Sequence, residues 1–144
     1  MAGIGQRGKY AEDVVKKKLK ALESADTTHY RWPDTRAGSL KTAPADFAVM
    51  RKGRLFLLEV KQVQHGYRLP YPNFDLAQAA RMRMWQLAGA SPWVIICHRM
   101  EQTTWRYGPL DAFEDRSVGG SWNLQAWNTY PIDEILTRIL VSNS

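Results

Sequence analysis

Two apolar runs meeting at a Lys-Gly corner constrain this chain more than any other feature. Residues 46–50 (Asp-Phe-Ala-Val-Met) and 54–63 (Arg-Leu-Phe-Leu-Leu-Glu-Val-Lys-Gln-Val) read as strands, joined through Arg51-Lys52-Gly53. A hairpin centred between Lys52 and Gly53 pairs residues whose numbers sum to 105: Met50 with Leu55, Ala48 with Leu57, and Asp46 with Glu59. That register follows from a two-residue or a four-residue turn, whereas a three-residue bulged turn would shift it by one.

The pairing sets two carboxylates against each other. Cross-strand partners have Cβ atoms roughly 4.5–5.5 Å apart, and like charges directly opposite are destabilising. A hard divalent cation with oxygen ligands removes the conflict. Glu59 and Lys61 are two apart on a strand and share a face, while Val60 points the other way. One face therefore offers Asp46, Glu59 and Lys61, with the Val60 carbonyl as a further oxygen ligand. An ammonium beside metal-held carboxylates can orient a water or stabilise charge on a phosphorane-like oxygen. The set suits metal-assisted hydrolysis of a phosphodiester. Without that pairing, Glu59 and Lys61 would be an ordinary solvated strand face.

The rest of the chain supplies elements to pack around the hairpin. Ala11, Val14, Val15, Leu19 and Leu22 recur at helical spacing from Gly8 to Leu22. Residues 29–32 read as a short strand stopped by Pro33, and 33–45 as a loop. Pro70 and Pro72 break the chain. Phe74–Ala88 then reads as a helix with Leu76, Ala80, Met84, Leu87 and Ala88 on one face, stopped by Gly89. Trp93–His98 and Thr103–Tyr107 are strand candidates, and 108–121 reads as a loop. Ile132, Ile135, Leu136, Ile139 and Leu140 form a last helix, with Pro131 early and Asp133 and Glu134 in its first turn. The order α-β-β-β-α-β-β-α predicts a single α/β domain over residues 1–144, a central mixed sheet flanked by helices, with residues 1–7 as a flexible arm.

Charge points to the partner. The formal net charge is +6. Residues 1–68 carry 14 Lys/Arg and 7 Asp/Glu, residues 69–144 only 6 and 7, so the whole excess sits in the N-terminal half. Clustered cations release condensed counterions together, which favours nucleic acid over mere solubility. No apolar run is long enough to span a bilayer, and the N-terminus lacks the apolar stretch of a secretory signal. With one cysteine there is no internal disulfide. A cytoplasmic, reducing setting is the expectation.

Pro44-Ala45-Asp46…Glu59-Val60-Lys61 resembles the signature of the PD-(D/E)xK nuclease superfamily, with Ala45 inserted between the Pro and the Asp. Within it, the chain is most similar to Holliday junction resolvases of the archaeal and related phage type. Gly8-Lys9-Tyr10-Ala11-Glu12 matches their Gly-x-x-x-Glu start, and Arg36-Ala37-Gly38-Ser39 their loop before the metal-binding Asp. Arg68-Leu69-Pro70, Phe74 and Gln78 are also similar to bacterial resolvases of that superfamily. The likeness covers roughly residues 6–110. It implies a restriction-endonuclease-like core and a Mg²⁺-dependent endonuclease acting on four-way junctions, with Mn²⁺ able to substitute and no small-molecule cofactor. It also implies that Glu12 helps hold the metal or its water, and that Arg36 and Ser39 contact phosphate. A four-way junction has near two-fold symmetry, so the expected assembly is a homodimer.

Arg7, Lys9, Lys41, Gln62, Gln78 and Arg81 complete the expected DNA contacts; Gln78, Arg81 and Trp85 share a helix face distinct from the apolar stripe. Trp122 and Trp127 flank a polar stretch and are candidates for a dimer or stacking surface. The histidines show no zinc-like spacing with Cys97. Two other readings compete: a linear-duplex nuclease of restriction or repair type, and a non-catalytic DNA-binding module.

Overall fold

The computed structural model describes residues 8–33, 43–117 and 119–142. Helix α1 (Lys9–Ala21) buries Ala11, Val15 and Leu19 and turns its lysines outward. Strands β1 (Thr27–Arg31), β2 (Phe47–Arg51) and β3 (Arg54–Val63) follow. The corner between β2 and β3 is a two-residue turn, with Lys52 and Gly53 at φ 49° and 78°. Both central residues are left-handed, as a type I′ hairpin requires. Ala48 then pairs with Leu57 and Met50 with Leu55, the register read from the sequence.

After β3 come the short strand β4 (Arg68–Pro70) and a 3-10 turn (Tyr71–Phe74). Helix α2 (Leu76–Leu87) is capped by the Asp75 carboxylate, which accepts the Gln78 N–H. Strands β5 (Ser91–His98) and β6 (Thr104–Pro109), a second 3-10 turn (Leu110–Phe113), β7 (Ser121–Asn123) and helix α3 (Ile132–Leu140) complete the chain.

The central sheet runs β1-β2-β3-β5-β6. Only β3 and β5 are parallel, joined by the α2 crossover; the other neighbours are antiparallel. This is the mixed α/β sheet the element order predicts. Alternation along β3 sends Phe56, Leu58 and Val60 to one face, under α1 and α3, and Leu57 and Val63 to the other, under α2, the 3-10 turns and a β4–β7 ribbon.

Three expectations fail. The ribbon is missed because its strands are three residues long and one ends in a proline. Trp122 and Trp127 are not an outer surface. Trp122 is buried beside Tyr71, Phe74 and Phe113, its indole N–H donating to the Asp115 carbonyl, and Trp127 packs on Phe113. The apolar stripe read for helix α2 does not meet the sheet. Met82 faces the core, while Leu76, Ala80, Met84, Leu87 and Ala88 face outward. Apolar residues lie on both sides of that helix, so periodicity does not say which side meets the sheet.

Candidate active site

The hairpin register carries Asp46 one step beyond the Phe47–Leu58 pair, opposite Glu59. Asp46 precedes the first paired residue of β2, and its Oδ2 accepts the Val60 N–H at 2.8 Å. A side chain thus takes the backbone donor that the shorter β2 leaves without a ladder partner. Glu59 is only 3 % exposed, and its Oε1 has no hydrogen-bond partner. Its Oε2 lies 3.0 Å from Lys61 Nζ. Lys61 also donates to Gln78 Oε1 at 3.2 Å, so the amine sits between a strand carboxylate and a helix amide.

Glu12 approaches from the opposite face of the sheet. Its Oε1 lies 3.3 Å from Arg31 Nη2, and Arg31 also reaches Asp13. Gln62, expected as a DNA contact, instead points toward α1, where its Oε1 accepts the Ala11 N–H at 3.2 Å. That bond satisfies a first-turn helix donor and braces the helix carrying Glu12 against the strand carrying Lys61. Asp46 sits where both faces converge. Burial pushes its carboxyl well above the usual carboxylate range, with the Glu59 and then the Glu12 charges adding to the rise, while the Val60 N–H and Lys61 oppose it.

Other predicted contacts are placed as follows. Arg81 Nε donates to the Ala43 carbonyl at 3.2 Å, tying α2 to the chain before Asp46. Lys9 is exposed at the start of α1. Arg7, Arg36, Ser39 and Lys41 lie outside the described residues. Arg31 is a site residue that sequence reasoning misses, because its partners become visible only once β1 is paired with β2. Cys97 is buried, and burial pushes its thiol up to about 11, so it stays protonated and inert.

The donor set fits a hard divalent cation. A buried carboxylate oxygen without a partner, beside a second carboxyl whose pKa desolvation and then the neighbouring charge raise, is relieved by a positive ion that accepts oxygen ligands. Among the described residues, no three His, Cys, Asp or Glu side chains form a closed metal cage. An ion here would rest on two carboxylates and complete its shell from backbone oxygen and water, the manner in which magnesium is commonly held.

The sequence matches no family model and no curated protein. The structure does find a counterpart. Hjc, a Holliday junction resolvase from the archaeal hyperthermophile Archaeoglobus fulgidus, superposes with a TM-score of 0.62 over 89% of this chain and 98% of its own, at 17% sequence identity. The two proteins share a fold. At that identity the likeness speaks for the resolvase fold and leaves the residues' roles to the site itself. No helix among the described residues is long and apolar enough to cross a membrane.

Proposed function

We propose that this chain is a metal-dependent, structure-selective DNA endonuclease that resolves four-way junctions by paired phosphodiester hydrolysis. The observation that supports this most is the pairing of half-buried Asp46 with buried Glu59 and Lys61 beside them, on a fold shared with a junction resolvase. A non-catalytic binder would gain nothing from setting two repelling acids together at a surface that meets phosphate.

Asp46 and Glu59 would hold Mg²⁺, or Mn²⁺ in its place, with the Val60 carbonyl completing the shell and Glu12 assisting. The ion, when bound, supplies a Lewis acid and a more acidic water. Lys61 holds its ammonium at the Glu59 carboxylate and positions the attacking water or stabilises charge on the phosphoryl oxygens. Gln78 and Gln62 keep Lys61 and the Glu12 helix in register. The basic N-terminal half, with Lys9, Arg7, Arg36, Ser39 and Lys41, grips phosphates by shape, since no base-reading module is present among the described residues. Two opposed nicks need two active sites, hence a homodimer.

The test is incubation with Mg²⁺ and a labelled four-way junction or its separate linear arms. Symmetric nicks in opposing strands near the crossover are expected. Equal cutting of the linear arms would move the assignment to a linear-duplex nuclease, and tight binding without cutting to a binding module. Asp46→Asn and Glu59→Gln should abolish cleavage and keep junction binding. Either variant cutting at the wild-type rate would refute the metal-site assignment.

A further inference from the structure

Among the described residues, three buried polar atoms without a hydrogen-bond partner lie together, away from the acid pair: His98 Nε2, Thr104 Oγ1 and Arg106 Nη1. The strand register explains why. His98 ends β5 opposite Thr104 on β6, and Arg106 stands two residues further along β6, opposite Ile96. Residues two apart share a face, and cross-strand partners have Cβ atoms roughly 4.5–5.5 Å apart. The three side chains thus rise side by side on the face covered by the β4–β7 ribbon. Ile96 pairs in turn with Lys61, which puts Arg106 two strands, roughly 10 Å, from the candidate active site.

The remaining groups of these side chains are committed. His98 Nδ1 lies 3.1 Å from the Gly66 carbonyl, which only accepts, so Nδ1 carries the hydrogen and neutral Nε2 is a bare lone pair. Arg106 donates to the carbonyls of Gln125 and Trp127 and lies over the Tyr67 ring, 5.0 Å from its centroid. Arg106 is 5% exposed and makes no ion pair with a described carboxylate. Nearby Glu101 is occupied by the Gly66 N–H and the Tyr67 hydroxyl. A guanidinium stays charged. The fold therefore buries a positive charge that has neutral partners and one idle donor.

We infer that His98, Thr104 and Arg106 form a site for one small monovalent anion of chloride size. Charge selects this occupant. A water would satisfy the three atoms and leave the guanidinium unbalanced, whereas a monovalent anion does both. A phosphate carries more charge than one guanidinium offsets, and four oxygens against three donors. The ion would also fasten the ribbon to the sheet, because His98 holds Gly66 before β4 and Arg106 holds Gln125 and Trp127 after β7.

Binding takes up a proton. Burial chiefly, and the Arg106 charge, lower the His98 imidazole from its ordinary value, while the Gly66 carbonyl and Glu101 oppose them. The empty site therefore holds a neutral ring, and an anion against Nε2 favours the imidazolium. Affinity should rise as pH falls, by at most about tenfold per pH unit.

The test is thermal unfolding of the full chain, free of DNA and divalent ions, in sodium chloride and in sodium methanesulfonate at equal ionic strength. Methanesulfonate is too large for a closed site. Chloride should raise Tm with the logarithm of its concentration, and more at about pH 6 than at about pH 8. R106M should abolish the chloride response. T104V keeps the shape of Thr104 and should weaken chloride about tenfold or more, the worth of one hydrogen bond to a charged group. H98N keeps a nitrogen for the Gly66 carbonyl and removes Nε2, so a weakened response should remain without its pH dependence. Bromide soaked into crystals should give an anomalous peak among the three side chains. Equal Tm in the two salts would overturn the proposal and leave a water in the cluster. A chloride response unchanged in both R106M and T104V, or in T104V alone if R106M does not fold, would overturn it by placing the ion elsewhere. None of these readings involves cleavage, so the anion site and the nuclease assignment fail separately.

Discussion

Asp46 shows how a single side chain can oppose the fold it serves. Burial and the Glu59 and Glu12 charges raise its carboxyl above its ordinary range in the folded chain. An acid whose folded pKa is raised binds its proton more tightly in the native state. Its stabilising contribution is complete below the unfolded pKa and is lost as pH rises through the folded one. The metal-free protein should therefore lose thermal stability from about pH 4 upward through the raised native value. Asp46→Asn removes the titration and keeps an oxygen for the Val60 N–H. At neutral pH, without divalent ions, this variant should melt above the wild type and show a flatter pH dependence. Adding Mg²⁺ should raise the wild-type Tm and move the variant much less. Calorimetry across pH decides it: a metal-free wild type as stable as the variant at neutral pH would show that the acid pair is not strained.

Among the elements, the hairpin and helix α2 show what a linear pattern can and cannot specify. The β2–β3 register was legible because Lys52-Gly53 suits a type I′ turn and the apolar runs on either side admit one pairing. The acid pair followed from that register by counting. The last helix was legible because its apolar residues fall on one side only. Helix α2 was not, since its rotation is set by contacts distant in sequence, Lys61 to Gln78 and Arg83 to Asp111. In the same way, Gln62 and Gln78 resemble DNA contacts in the sequence, while the fold shows them hydrogen-bonded to the Ala11 N–H and the Lys61 ammonium.

That difference can be measured. Gln78→Ala removes the amide oxygen that receives the Lys61 ammonium, a hydrogen bond to a charged group worth about 1.5–3 kcal/mol. It should lower kcat by roughly 10- to 100-fold, if most of that energy is expressed in the transition state, and leave junction affinity in metal-free buffer unchanged. Weakened binding with normal kcat would return Gln78 to the DNA-contact role.

At the scale of the whole molecule, the uneven charge acquires a direction. The excess cations belong to the N-terminal half, whose described elements include α1, β1 and the hairpin that leads from Asp46 to Glu59. Not all of these cations are equivalent. Lys18 lies toward the far end of α1, where its Nζ is 3.1 Å from Asp133 on α3, whereas Lys9 is exposed one turn before Glu12. A basic surface around an acidic centre would draw phosphates toward the site while the local acids keep them at the distance a cation can bridge. If the junction lies across the first turn of α1, the logarithm of the association constant should fall linearly with the logarithm of salt concentration. Each phosphate contact on a duplex arm contributes about −0.9 to the slope. Lys9→Ala should then make the slope shallower by about that amount, and Lys18→Ala should leave it unchanged. Titrations at several salt concentrations separate the two. Equal effects at both lysines would mean a diffuse field with no oriented surface, and an effect at Lys18 alone would place the DNA over α3, away from the paired acids.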